Sequence, residues 1–276
     1  MKKKKTCRFL MIALILCSLV AGMVPATVSA AKKTGWVEET NGYCYYVKGK
    51  KVKNKLKKIK GKTYYLGSDG VRKTGWYTVK TKSKGKTVYK AMKFNAKGAY
   101  TGKSQSVNAK MIKKTDSIIK SQKISTGVAT AEQKEAALEK LFNYTKKYGY
   151  GRVMGLNSRS FNKGKITDSA YKMMSKKKGN CYYYASAFAV LAKRATGLPV
   201  RVCWGTSTVF NEKRAQEHAW TEVKLADGKW HVYDPNAARF STRKDIGTYA
   251  QEASSVKSAY KASKKCEVIL LYRGIV

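Results

Sequence analysis

Cys181 is the residue of this sequence with the clearest capacity for chemistry. It follows Gly179-Asn180 in KKKGNCYYYASAFAVLAKRATGLPVRV, where a helix is expected to begin. Asn180 has the side chain of an N-cap, and Cys181, Tyr184, Ala185, Phe188, Leu191, Ala192 and Ala195 recur at the spacing of one helical face. Lys193 and Arg194 suit the last turn, Gly197 suits the cap, and Pro199 stops the helix. A cysteine in the first turn sits among unpaired backbone N–H groups at the positive end of the helix dipole, where a thiolate is stabilised. The same N–H groups could hold an oxyanion if the sulfur attacks a carbonyl. On position alone, a small apolar cysteine packed into a core fits equally well.

The partners that would make Cys181 a nucleophile stand in EHAWTEVKLADGKWHVYDPNA, which reads as a β-hairpin around Asp227-Gly228. His218 opens one strand and Asp234 closes the next. A two-residue turn would pair Asp234 with Thr221 and send His218 to the opposite face. A three-residue turn over Ala226 to Gly228 would pair Asp234 with Trp220 and leave His218 diagonal on the same face. With the second register, His218 takes the thiol proton and later protonates a leaving amine, while Asp234 fixes the imidazole tautomer. His231 falls on the other face and is not the expected base.

Cys181 at a helix start, then GLPVRV, then His218-Ala219-Trp220, then Trp230 and Asp234-Pro235, resembles in order the transglutaminase-like superfamily on the papain-type cysteine-enzyme fold. The resemblance covers about residues 109–240. It implies an α+β core, with the Cys-bearing helix packed on an antiparallel sheet, and a Cys181–His218–Asp234 triad. The implied reaction attacks an amide carbonyl of a protein or peptide and forms a thioester, resolved by water in a hydrolase or by an amine in a transglutaminase. Trp220 and Tyr183 are candidate pocket walls. Such folds also supply a second oxyanion donor, which no side chain here announces. Asn236 stands where the family often has Thr.

The remaining residues must place and anchor this domain. Lys2 to Lys5, the apolar run Phe9 to Val24 and the small-residue site Val28-Ser29-Ala30 make a signal peptide over 1–30. The run is short for a membrane span, and Leu16 before Cys17 is not a lipoprotein signature, so the expectation is a secreted protein and not an integral membrane protein. Beyond it, KTGWVEETNGYCYYVKGKKV is echoed by LKKIKGKTYYLGSDGVRKTGW and, with an insertion near Thr81 to Lys84, by GKTVYKAMKFNAKGAYTGK. A unit of about 20 residues alternating Tyr pairs with Gly turns predicts stacked hairpins. The array resembles choline-binding and glucan-binding cell-wall repeats of secreted Gram-positive proteins. That likeness implies ligand contacts from Trp36, Tyr45, Tyr46, Tyr64, Tyr65 and Trp76, although Leu56 replaces one Trp position and weakens a choline cage.

Charge supplies a second anchor. The chain has 58 Lys+Arg against 16 Asp+Glu, a formal +42, and residues 31–103 hold 21 basic and 3 acidic side chains. Anionic wall polymers such as teichoic acid or glycan are the expected partners. Nucleic acid is not, because the export signal and the lack of a recognition motif oppose it. The domains are therefore a signal peptide (1–30), wall-binding repeats (31–103), a linker (104–108) and the transglutaminase-like domain (109–276). Thr130 with Gln133 forms a capping-box pattern inside the last, and CEVILLYRGIV reads as a closing strand. Cys44, Cys203 and Cys266 complete the mature cysteines. Cys203 and Cys266 could meet across strands, but a chain of this size does not need a bridge. No CxxC pair occurs and only two histidines are present, so no metal or cofactor is expected. The competing reading is a non-catalytic wall adhesin that keeps the domain as a binding module.

Overall fold

Three Lys-Gly dipeptides set the N-terminal architecture. In the computed structural model, which describes residues 33–124, 130–151 and 156–268, Lys48-Gly49, Lys60-Gly61 and Lys84-Gly85 all have positive φ at both positions. That is the type I′ geometry whose twist matches paired strands. They close antiparallel pairs among β1 (Gly35–Glu39), β2 (Gly42–Val47), β3 (Lys50–Lys51), β4 (Lys55–Ile59), β5 (Lys62–Leu66), β6 (Gly75–Ser83) and β7 (Lys86–Phe94), with β8 (Tyr100–Val107) added beside β7. GSDG forms a turn, Gly70 N–H donating to Gly67 O at 3.0 Å. It delivers Val71 to Cys44 of the first hairpin as a single bridge, and Arg72 bridges back to Leu66 across the turn. The residues near Thr81 to Lys84 lengthen the third hairpin. Tyr65 of β5 joins Tyr77, Val79, Met92 and Phe94 of that hairpin in a small core. The signal-peptide segment and the end of CEVILLYRGIV lie outside the described residues.

Ser104 to Val107, expected to be a linker, continue β8 instead, and Asn108 at once caps α1 (Ala109–Ser121) by accepting from Lys110 N and Met111 N. Tyr89 of β7 belongs to the larger core that follows, so hairpins and helices share buried apolar surface. α2 (Ala131–Lys146) starts at the Thr130–Gln133 capping box, with both hydrogen bonds present. β9 (Gly149–Tyr150) pairs in parallel with β10 (Lys178–Gly179), and α3 (Ile166–Lys176) lies between them in sequence.

α4 (Cys181–Thr196) is the centre of the core. Asn180 Oδ1 accepts from Tyr182 N, and Gly197 ends the helix with φ +72°. The helix is buried on nearly its whole circumference, not on one face, because α1, α2, α3 and a five-stranded sheet surround it. Two large polar side chains of the helix find partners inside, while Ser186 Oγ has none. Arg194 makes a two-pronged contact with Asp116 of α1 at 2.7 and 2.8 Å, and Tyr184 donates to the carbonyl of Tyr148. Phe188 stacks on Tyr233 with centroids 5.3 Å apart.

That sheet is antiparallel, built from β11 (Val200–Ser207), β12 (Gln216–Lys224), β13 (Trp230–Tyr233), β14 (Gln251–Glu252) and β15 (Tyr260–Glu267) in the order β14-β13-β12-β11-β15. Val200, Val202, Ala219 and Val223 join the α4 core, whereas Cys203, Trp220 and Val232 form a second core on the other face. The alternation of strand side chains explains the cysteines: Cys266 stands opposite Val202 and Cys203 opposite Lys265, so their thiols face opposite sides of the sheet. All four described cysteines are free thiols.

Candidate active site

The register between β12 and β13 decides whether His218 and Asp234 can meet. Thr221 pairs with Tyr233 and Lys224 with Trp230, while Leu225 N–H donates to Lys229 O around a loop of Ala226, Asp227 and Gly228. Gly228, at φ +76°, supplies the left-handed residue that a three-residue hairpin loop needs. Asp234 therefore falls opposite Trp220, on the face of His218. His218 Nε2 lies 2.6 Å from Asp234 Oδ2, and both residues are 1% exposed.

Asp234 is held from three sides. Oδ2 also accepts from Tyr260 Oη at 3.0 Å, and Oδ1 caps α5 (Pro235–Phe240) by accepting from Ala237 N at 2.9 Å. Because Nε2 faces the carboxylate, Nδ1 is the nitrogen left for Cys181, which shares a cavity with the ring. Burial by itself would lower the imidazole pKa. The charge and hydrogen bond of Asp234, with Cys181 adding to them, outweigh burial and raise it to about 10. Rings fix the imidazole plane: Trp220 stacks at 6.2 Å and Phe210 meets it edge-on at 5.1 Å. His231 lies elsewhere, between Asp227 Oδ2 at 2.8 Å and Ala250 O at 3.0 Å.

Cys181 and His218 open onto one cavity of about 330 Å³, lined also by Tyr150, Phe210, Gln216, Glu217, Asn236 and Phe240. Neither Trp220 nor Tyr183 is among its walls. Trp220 is two residues deeper along β12, and its indole N–H donates to Glu222, so it supports the histidine from beneath. Tyr183 is two residues along the helix from Cys181, which turns it away from the thiol. It is buried close to Gly179. The walls are instead Tyr150 and Phe240, exposed aromatics in edge contact at 5.8 Å, together with Phe210. Glu217 stands at the rim and accepts from Ser158 N, Ser158 Oγ and Tyr182 Oη. Sequence patterning missed these residues, although Phe210, a lone aromatic in the polar stretch before His218, was a usable signal. Among the described residues, no group of three or more His, Cys, Asp or Glu side chains converges as a metal site requires.

The N-terminal aromatics divide. Trp36 meets Tyr45 and Tyr64 edge-on at 5.1 and 5.0 Å, and Tyr65 is buried against Tyr77. Arg72 lies over Trp36 at 5.5 Å, Lys57 over Tyr45 at 5.6 Å and Lys51 over Tyr46 at 5.7 Å. The faces that would bind a quaternary ammonium are thus turned to the chain's own cations. Trp76 is half-buried, opposite Lys93.

Residues 121–235 match the family model described as the transglutaminase-like superfamily, a span that contains all three candidate triad residues. The chain therefore carries a transglutaminase-like domain over residues 121–235. Three solved structures give weaker likenesses. A candidate cysteine protease from Cytophaga hutchinsonii is 17% identical, covering 58% of this chain and 55% of its own, with a TM-score of 0.31. Calcium-bound LapG of Legionella pneumophila is 13% identical over 57% and 84%, with a TM-score of 0.35. A protein described as a TGase is 15% identical over 60% and 44%, with a TM-score of 0.34. The chain thus spans only about half of the first and third of these proteins. No curated protein matches the chain.

Proposed function

We propose that this is a secreted, cell-wall-associated cysteine enzyme that breaks or exchanges amide bonds through Cys181, His218 and Asp234. The observation that carries the reading is the 2.6 Å contact of a buried His218–Asp234 pair, with Cys181 of α4 on the same cavity. In this reaction Cys181 acts as the thiolate, with the proton on His218 and the start of α4 behind the sulfur. The sulfur attacks an amide carbonyl, His218 gives its Nδ1 proton to the departing nitrogen, and a thioester remains. Water or an amine then resolves it, with His218 as base.

Thiol alkylation tests this without a known substrate. At about pH 6.5 iodoacetamide is expected to label Cys181 at least about tenfold faster than Cys266, the half-buried reference, with the advantage lost in His218→Ala. Cys203 is a poorer reference, since burial and the nearby Glu222 carboxylate push its thiol pKa well up. Equal labelling of Cys181 and Cys266 in the wild type would favour the adhesin reading.

Wall association is supported by the charge of the hairpins. Two of their three acidic side chains are already paired, Glu39 with Lys51 and Asp69 with Lys73, both at 2.6 Å. Most of the 21 basic residues are left to the surroundings. Export is supported by the signal-type N-terminus, and no described helix is long and apolar enough to cross a membrane. Protein lacking residues 1–30 is expected to sediment with walls rich in anionic polymer, and to be released as salt rises from ~0.05 to ~0.5 M. Retention unaffected by salt would point to a carbohydrate-specific contact instead.

A further inference from the structure

The cavity contains a donor that the resting protein does not use. Asn236 is 1% exposed, and its Nδ2 has no hydrogen-bond partner. Of the buried side-chain polar atoms without a partner among the described residues, only this one belongs to a residue lining the cavity of Cys181 and His218. An amide N–H₂ buried without a protein partner costs free energy that the protein's own contacts do not recover. A group kept at that cost, beside a nucleophile, is preorganised for charge that appears only during reaction. Its position follows from local structure: Asp234 caps α5, Pro235 opens the helix, and Asn236 is fixed two residues after the carboxylate that holds His218.

We infer that Asn236 is a catalytic residue, the side-chain donor that binds the carbonyl oxygen of the scissile amide as it becomes an oxyanion. The inference rests on the proposed role of Cys181. As the Sγ–C bond forms, the π pair of the carbonyl moves onto oxygen, and Asn236 Nδ2–H and the Cys181 backbone N–H donate to it. The Cys181 N–H heads α4 and so has no acceptor within the helix. When the C=O bond re-forms, the C–N bond breaks and its pair takes the proton from His218. Nothing else is consumed or supplied.

Two reagents at the same sulfur test this. Acylation by 4-nitrophenyl acetate passes through a tetrahedral oxyanion, whereas alkylation by iodoacetamide displaces iodide at a saturated carbon and makes none. Asn236→Leu and Asn236→Asp, in the full mature chain, are expected to slow the nitrophenolate burst about 100-fold. Alkylation of Cys181 should stay within about twofold of wild type in Asn236→Leu, which adds no charge to the cavity and leaves the His218–Asp234 contact alone. Thermal stability should be kept in Asn236→Leu, because the lost donor had no partner. Burst rates within about threefold of wild type would overturn the assignment. A parallel fall in burst, alkylation and melting temperature would also overturn it, making Asn236 a support of α5. If wild-type Cys181 alkylates no faster than Cys266, the catalytic reading fails and this inference with it.

Discussion

Asp234→Asn is expected to leave the fold intact and to lower the rate of Cys181 acylation by roughly 10⁴. Asparagine caps a helix as well as aspartate, so Oδ1 can still accept from Ala237 N. The other branch of the side chain becomes an N–H₂ group facing His218 Nε2 and the Tyr260 hydroxyl, both of which donate in the wild type. To avoid donor against donor, the neutral ring must turn Nε2 into an acceptor and move its proton to Nδ1. Nδ1 then has no lone pair for the thiol proton. The charge changes as well. Against burial, which lowers it, Asp234 does most to raise the buried imidazole to about 10, with Cys181 adding less, and without Asp234 the value falls. Only two histidines are present, so ¹⁵N NMR of the rings reads this directly. The His218 ring should stay protonated through neutral pH in the wild type and be neutral there in the variant. A raised folded-state pKa also means that the His218 proton stabilises the fold fully below about pH 6.5. That contribution fades as pH rises through about 10, a slope that Asp234→Asn should remove. Unchanged acylation together with an unchanged ring titration would exclude the pair from the chemistry.

Strand arithmetic left the pair open between two registers, and the family resemblance pointed to the one that joins them. His218 and Asp234 share a face only with an odd-length loop, and Gly228 after Ala226-Asp227 gives that loop its left-handed third residue. Asn180, Gly197 and the Thr130–Gln133 box were readable, because caps are local hydrogen-bond chemistry. The pocket walls were not. Periodicity reports which side chains are buried and not which buried ones border a cavity, so Trp220 and Tyr183 resembled walls while Tyr150 and Phe240 went unnoticed. The extent of α4 burial was hidden for a related reason. Spacing placed Tyr184 on the buried face and Arg194 in the last turn, but not their partners, a carbonyl in the chain leading to β9 and an aspartate on α1. Tyr260 was beyond reach altogether. It contacts Asp234 across 26 residues, from β15, which lies outside the span matched by the family model.

Gly205→Ala is expected to destabilise the domain by about 3 kcal/mol or more and to impair the site with it. Gly205 lies on β11, opposite His218 of β12, and on its other side the ladder to β15 slips by one residue between Trp204 and Gly205. The bulge brings the β15 backbone so close that a methyl at Gly205 would stand 2.1 Å from Lys261 O and 2.6 Å from Ser263 N. Those atoms are backbone, so no rotamer change relieves the overlap, and β15 has to shift as a strand. The same strand carries Tyr260, which donates to Asp234 and packs on Trp220 with centroids 5.1 Å apart. Displacing it loosens the carboxylate that orients His218 and opens the second core beneath the ring. Urea denaturation should show the lower midpoint with an unchanged slope. Iodoacetamide labelling of Cys181 should fall even where the variant is still folded. Tyr260→Phe separates the two effects: it keeps the ring and the strand, loses only the hydroxyl, and should slow labelling with a much smaller change in midpoint. If Gly205→Ala unfolds at the wild-type midpoint, the close approach of β15 is not what holds this edge of the sheet, and the support assigned to Tyr260 loses its basis.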